Sequence, residues 1–359
     1  MAQPREVLSS HPESKVFGMA EKRDGPFGNF DVLNNAEFLD DFQNVASRTA
    51  SRLWVKAMLI ARHTSPTTIQ DQMIENAQRG VSVKAHSDFV FSKSKENDPM
   101  FDRMREQGVE VVFTNRPKDP KGIQRLLPKK ITQFIGRDHR KIILTDDIAY
   151  LGGLNVCNFN YKAADFMVKI TDPTIVEQLA RQFDRVNENH PPEDFEVKCN
   201  DETSIIVDSG KPGVSKILDA AISLVENADY VEAMLQFIPE GKFLEALRGA
   251  YLRRANIHVI TSRPDSLCGL PSTFDEFKLV LLDLQNKLPP VISFYPDVVH
   301  AKMLVTRDRN SGVKTTIIGS HNFSDSSVKY GTTELSLITT NRQLIGNLEE
   351  FFASLQKSC

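Results

Sequence analysis

Two histidine–lysine pairs, His139-Arg-Lys141 and His300-Ala-Lys302, are the residues of this chain whose types and spacing could do chemistry. Each leads through an aliphatic run to a glycine turn ending in asparagine, Gly152-Gly153-Leu-Asn155 in the first case and Gly319-Ser320-His-Asn322 in the second. In an extended segment, side chains two positions apart share a face, so each histidine projects together with its lysine. Two imidazoles and two ammonium groups suffice for phosphodiester cleavage without a metal. One imidazole attacks phosphorus and becomes phosphohistidine. The other protonates the leaving oxygen and then deprotonates the incoming hydroxyl, tasks that suit a group titrating near neutrality. Lys141 and Lys302 would hold the phosphoryl oxygens, helped by the Asn155 and Asn322 amides. A lone histidine in a strand is ordinarily a surface or hydrogen-bonded residue, and a lone lysine a solvated one. The functional reading rests on two copies with the same punctuation.

Asp146 lies an odd number of residues from His139 and is expected on the opposite face, with a structural role in the turn that follows. The second copy has Arg307 at the matching position, with Asp308 one step further on. A carboxylate essential to the chemistry would not be missing from one of two copies.

The doubled pattern resembles the phospholipase D superfamily, over roughly Phe30 to Phe352. The first copy is most similar to bacterial cardiolipin synthases and related phosphatidyltransferases. The cue is Arg137-Asp-His-Arg-Lys141, preceded by Met104-Arg-Glu-Gln-Gly-Val-Glu-Val-Val112 and followed by the Gly-Gly-x-Asn turn. The resemblance implies one active site built from both copies, with His139 as nucleophile and His300 as acid and base. It also implies an acidic residue beyond each Gly-x-Asn turn that orients a histidine. The matching positions are Asp165, in Ala-Ala-Asp-Phe-Met-Val, and Glu334, in Gly-Thr-Thr-Glu-Leu-Ser-Leu; ordinary polar residues at a sheet edge are the alternative. Gly152, Gly153, Gly319 and Ser320, with Asp146, are carried as structural parts of the motif. The chain departs from the family at Arg307, where an aspartate is usual, and at Ser326-Ser327, where Arg-Ser is usual.

The elements that must position these residues repeat as well. Asn35 is expected to cap a helix through Phe38, Phe42 and Val45, followed by a strand at Trp54-Val-Lys-Ala-Met-Leu59, a helix from Ile69 to Arg79 and a strand at Val81–Lys84. The order returns as a helix from about Val214 to Glu226, a strand at Tyr230-Val-Glu-Ala-Met-Leu235, a helix from about Lys242 to Arg254 and a strand at Ile257–Ile260. Arg307 to Lys314 reads as a hairpin extension with turn residues Asn310, Ser311 and Gly312. The expected fold is therefore α/β, with two pseudo-symmetric lobes whose helices flank mixed, largely parallel sheets. The boundaries are a loose segment at 1–28, a first lobe at 29–190 and a second at 191–359, joined near Asn187-Glu-Asn-His-Pro-Pro-Glu-Asp194.

With 40% hydrophobic and 25% charged residues the composition is that of an ordinary globular protein, and a net charge of -3 provides no global pull toward nucleic acid or an anionic membrane. Cys157, Cys199, Cys268 and Cys359 are scattered, which points to a reducing compartment and to neither a zinc site nor any cofactor. No apolar run is long enough to span a membrane and the N-terminus lacks a leader pattern, so the expected location is cytoplasmic, with peripheral attachment to a membrane. Arg116 to Lys141 carries nine basic residues against two aspartates, interleaved with Ile123, Leu126, Leu127, Ile131 and Phe134. It reads either as a rim touching an anionic bilayer or as a solvated loop with core anchors. Aromatic stacking residues are sparse there, which favours a phospholipid over nucleic acid. No obligate protein partner is evident. The leading expectation is a phosphatidyltransferase or phospholipase D. A nuclease-type phosphodiesterase and a catalytically degenerate binder of anionic headgroups are the alternatives.

Overall fold

The computed structural model describes residues 29–62, 69–115, 136–158, 160–183, 193–267, 270–284 and 291–359. Most of the basic stretch from Arg116, most of the expected junction at 187–194, the N-terminal 28 residues and Cys268 lie outside the described residues. The first lobe is built on β1 (Phe30–Asn34), β2 (Arg52–Ala57), β3 (Ser82–Asp88), β4 (Glu110–Thr114), β5 (Ile142–Leu144), β6 (Ala149–Gly152) and β7 (Phe166–Ile170), in the spatial order β1-β7-β6-β5-β2-β3-β4. The second holds β8 (Phe195–Lys198), β9 (Thr203–Ser209), β10 (Ala228–Leu235), β11 (Asn256–Ser262), β12 (Ile292–Tyr295), β13 (Met303–Asp308), β14 (Lys314–Gly319) and β15 (Thr333–Thr339), in the order β12-β11-β10-β13-β14-β15-β9-β8. Leaving β8 aside, the two orders superpose strand for strand, β2 on β10 and β7 on β15. The repeat thus extends to topology.

The two-lobed α/β fold with helix-flanked mixed sheets is as expected, but "largely parallel" needs correction. Among the described strands, only β2–β3, β3–β4, β10–β11 and β11–β12 pair in parallel; the other pairings are antiparallel. The reason lies in the connections. Strands joined through a helix cross over and come back parallel, whereas β5–β6 and β13–β14 are joined by short turns and must run antiparallel. Those two hairpins are the ones that follow the His-x-Lys pairs.

The helix Asn35–Arg48 is capped one residue earlier than expected. The Asn34 side chain accepts from Ala36 N and Glu37 N while Glu37 returns a bond to Asn34 N, a reciprocal capping box that selects the first of two tandem asparagines. This helix buries Phe38, Phe42, Val45 and Ala46 on the outer face of the first sheet. The helix Lys216–Asn227 does the same for the second sheet with Ile217, Leu218, Ala221 and Val225. Between the sheets run Pro173–Phe183 and Arg342–Gln356, whose apolar faces (Ile175, Leu179 and Phe183; Leu344, Leu348 and Phe352) join one core with Leu144, Leu151 and Val168 of the first sheet and Val207, Met303 and Leu335 of the second. A core shared in this way locks the relative placement of the lobes, since sliding one against the other would expose it at about 25 cal/mol per Å².

Candidate active site

His139 and Lys141 lie in the extended segment that enters β5, and His300 and Lys302 in the corresponding segment that enters β13. All four are at least nine-tenths buried, with both lysines 1% exposed. In each copy the lysine ammonium donates to the carbonyl of its own histidine, Lys141 Nζ to His139 O at 2.7 Å and Lys302 Nζ to His300 O. The same contact thus recurs in both copies, each lysine held on the backbone of its own histidine.

Asp165 and Glu334 each meet a histidine too, but it is the histidine of the other lobe. His139 Nδ1 meets Glu334 at 3.0 Å, and His300 Nδ1 meets Asp165 at 2.8 Å. Backbone bonds impose this exchange. His139 N donates to Thr333 O at 2.9 Å and Thr333 N to Arg137 O at 2.7 Å, beside Glu334. In mirror fashion His300 N donates to Ala164 O at 2.9 Å and Ala164 N to Val298 O at 2.8 Å, beside Asp165. An imidazole that donates Nδ1–H to a carboxylate in this way has Nε2 as its free, unprotonated nitrogen.

The glycine turns seat these carboxylates. A Cβ on Gly153 would stand 2.5 Å from both Asp165 Oδ1 and His300 O, so only glycine lets the turn lie against the His300–Asp165 pair. At the same place in the second copy Ser320 donates its hydroxyl to Glu334 and accepts from Leu335 N at 3.0 Å. Gly152 and Gly319 lie where a side chain would strike the backbone of the next strand, Phe166 O and Leu335 O respectively. Asn155 Oδ1 accepts from Leu59 N at 3.2 Å, whereas the buried Asn322 Oδ1 has no partner among the described residues and is the acceptor left over in the second turn.

Asp146 is away from this centre, as its register predicts. It ties down the start of β2 rather than its own turn, accepting from Ala50 N at 2.7 Å, Ser51 N at 3.1 Å, Ser51 Oγ at 2.6 Å and Arg52 N at 2.8 Å. At the matching place Arg307 anchors the start of β10 through Asp229 at 2.8 Å. Asp308 instead serves its own hairpin, accepting from Asn310 N at 3.0 Å and Ser311 N at 2.7 Å.

Sequence reasoning missed the buried ion pairs that brace the His139 segment. Asp138 holds Arg140 at 2.7 Å, and Asp88 at the end of β3 takes Arg137 at 3.1 Å and Asp138 N at 3.1 Å. Alternation was the available signal: Asp138 and Arg140 share the face opposite His139 and Lys141. Their opposite charges satisfy each other in the interior.

Electrostatically the centre is cation-rich. Burial and the Lys302 charge push Lys141 down to about 7, and burial pushes Lys302 down to about 8. Burial and the lysines also lower both histidines, His300 the further. Burial raises Asp165 to about 6. Glu334 goes the other way: burial opposes its charge, but the charge and hydrogen bond of His139 hold it at about 2. An anion entering between the lysines would relieve their mutual repulsion, which suits a phosphate. Among the described residues no group of three or more His, Cys, Asp or Glu is placed to hold a metal ion.

Residues 223–356 match the family described as cardiolipin synthase, PLD-like domain. The chain is 25% identical over 290 residues to cardiolipin synthase A of Buchnera aphidicola subsp. Schizaphis graminum, covering 71% of this chain and 57% of that protein. It therefore spans little more than half the length of that relative. Among solved structures, phosphatidylserine synthase of Haemophilus influenzae Rd KW20 shares the fold with a TM-score of 0.68 at 14% identity, covering 92% of this chain and 86% of the other. A polyphosphate kinase from Porphyromonas gingivalis aligns with a TM-score of 0.59 at 14% identity, over 90% of this chain and 46% of its own.

Proposed function

We propose that this chain is a member of the phospholipase D superfamily and a phosphatidyltransferase of the cardiolipin synthase type, acting through a phosphohistidine intermediate. The observation that carries the reading is the pair of crossed histidine–carboxylate contacts meeting at two buried lysines. Such an arrangement supplies a nucleophile, an acid and charge stabilisation at one point.

In the first step His139 Nε2 attacks phosphorus. The N–P bond forms as the bond from phosphorus to the leaving alkoxide breaks, and His300 gives that oxygen its proton. Glu334 holds the Nδ1 proton of His139 and stabilises the positive charge on the ring. In the second step the acceptor hydroxyl gives its proton to His300 and attacks phosphorus, and the N–P bond breaks. Lys141, Lys302 and the side chains of Asn155 and Asn322 hold the non-bridging oxygens throughout. His139 is placed first because Glu334 stays ionised beside it, whereas Asp165 beside His300 is the more readily protonated carboxyl.

A phospholipid substrate is supported by the description of the matched family and by the named cardiolipin synthase relative. A bilayer as the working surface is supported by the helix Leu270–Leu284, which exposes Phe277, Val280 and Leu281 at helical spacing. The turn before that helix packs Leu267 with Val298, two residues before His300. We place the protein at the cytoplasmic face of a membrane as a peripheral enzyme; no described helix is long and apolar enough to cross one.

The test is an incubation with phosphatidylglycerol vesicles in EDTA, followed by mass spectrometry. Cardiolipin and glycerol as products establish transfer to an alcohol. Phosphatidic acid alone makes water the acceptor and the protein a hydrolase. No product from the lipid would refute the lipid reading and move the assay to DNA phosphodiesters.

A further inference from the structure

The two-histidine chemistry leaves unused a buried imidazole and a buried carboxyl, both in the second lobe. His321 occupies the third position of the Gly-Ser-His-Asn turn and is 1% exposed; Asp208, on β9, is 2% exposed. The β9–β15 register sets Asp208 directly opposite Glu334, so the two carboxyls are cross-strand neighbours on one face. Burial raises Asp208 to about 7, and the nearby Glu334 adds to it, so in this neighbourhood the negative charge belongs to Glu334.

The imidazole of His321 sits between this pair and the turn. Its Nδ1 accepts from Phe323 N at 2.8 Å, which puts the ring proton on Nε2, and Nε2 faces Asp208 Oδ2 at 3.9 Å. Phe323 has φ +48, the left-handed region that a bulky residue adopts only when its surroundings hold it there. It is held by His321 on one side and by stacking of its buried ring on Phe243 at 5.4 Å on the other. Asn322, whose carbonyl oxygen has no partner among the described residues, lies between the two.

The first lobe shows that the fold does not require this device. Leu154 stands where His321 does, and Val156, at the place of Phe323, is not among the residues with positive φ. Continuing the β1–β7 register puts Asn35 opposite Asp165, and the Asn35 amide donates to Ala163 O instead.

We propose that His321 is a positioning residue of the second half-site: its Nδ1 fixes the turn that presents Asn322, and its Nε2–H, facing Asp208 of the cross-strand carboxyl pair, supports the negative charge that the pair leaves on Glu334. The two half-sites are thereby chemically unequal on one repeated backbone. The proposal rests on the reading of Asn322 as a phosphate contact and of Glu334 as the orienter of His139. The other groups facing Glu334 are His139 and Lys141 from the segment entering β5, Lys302 from that entering β13, Ser320 from the turn and Asp208, which is itself near Asp194.

Two conservative variants separate the halves of the role. His321→Asn keeps an acceptor at the place of Nδ1 and loses the donor; His321→Gln keeps a donor at the place of Nε2 and loses the turn bond. The readouts are the His139 titration midpoint, from NMR of protein labelled with nitrogen-15 histidine, and the affinity for sulfate. Neither needs turnover, so they are decided independently of whether the substrate is a lipid. The expected pattern is a His139 midpoint raised by about one pH unit in His321→Asn with sulfate affinity kept. His321→Gln should show the reverse, an unchanged midpoint with several-fold weaker sulfate. Equal changes in both variants, or none in either, would overturn the proposal. Should His321→Asn fail to fold, His321→Gln alone decides it, by whether sulfate weakens at a constant midpoint.

Discussion

His139 and Glu334 are 195 positions apart in sequence and 3.0 Å apart in space, and they belong to different lobes. With the reciprocal contact of His300 and Asp165, 135 positions apart, this makes each half-site a product of both halves of the chain. The carboxylate that fixes the tautomer of one imidazole is carried by the strand that follows the other lobe's glycine turn. Docking of the lobes and assembly of the site are one event. The shared core beneath makes that docking permanent.

Stability should register the exchange. In double-mutant cycles, His139→Ala and Glu334→Gln are expected to couple by about 1–3 kcal/mol, as residues in one buried network do. His139→Ala and Asp165→Asn should be close to additive. Equal coupling in both cycles would contradict the crossed arrangement. In turnover, Glu334→Gln should lower the rate by about 10²–10⁴-fold, and His139→Ala by at least as much.

The lysines make anion binding pH-dependent. With Lys141 at about 7 and Lys302 at about 8, both below the ordinary lysine value, the empty site gives up protons as pH rises through this window. An anion binds best when both lysines are charged, so binding must take protons up. Sulfate, whose own charge is constant there, should bind most tightly below pH 7. Its affinity should then fall by up to about tenfold per unit for each lysine titrated. Calorimetry in buffers of different ionisation heat would detect the proton uptake. An affinity flat from pH 6 to 9 would mean that the lysines do not titrate in this range.

How much of this was legible follows the range of the interactions. The His-x-Lys pairs, the glycine turns and the strand–helix repeat are local patterns, and each reappears at its place. Alternation alone put Asp146 on the far face. Strand direction was not legible, because alternating hydrophobicity marks a strand without saying which neighbour it joins; hence the overcount of parallel pairs. The cap expected at Asn35 falls instead on Asn34, because it is the Asn34 amide N–H that donates to Glu37, a side-chain bond that the tandem asparagines alone do not reveal. The exchange of Glu334 and Asp165 was out of reach for a deeper reason: backbone bonds such as His139 N to Thr333 O exist only once two sheets have met.

Gly153→Ala tests the close approach of the first turn. The added methyl would overlap both Asp165 and the His300 carbonyl, so the pair must separate or the turn must shift. Overpacking of this kind costs about 1–3 kcal/mol. The loss of activity should exceed what unfolding explains, because the displaced group orients His300. Gly312→Ala is the control: it sits at φ +70 in the β13–β14 turn with nothing within 4 Å of an added Cβ. It should lose some stability to backbone strain and keep its rate per folded molecule.

Asp146 and Arg307 occupy matching positions and do the same work with opposite charge. Asp146 gathers the amides of Ala50, Ser51 and Arg52 at the head of β2, and Arg307 pairs with Asp229 at the head of β10. The part required at this position is an anchor for the strand beside the histidine strand, and either sign of charge supplies one. Asp146→Ala would leave three backbone donors to find water and should cost about 1–3 kcal/mol in denaturant unfolding. Arg307→Ala, which breaks an exposed and solvent-screened pair, should cost much less. Neither should change the turnover of the folded fraction or the pH at which sulfate binding weakens. A large fall in turnover for Asp146→Ala at full folding would instead place this carboxylate in the chemistry, against the geometry that turns it away from both histidines.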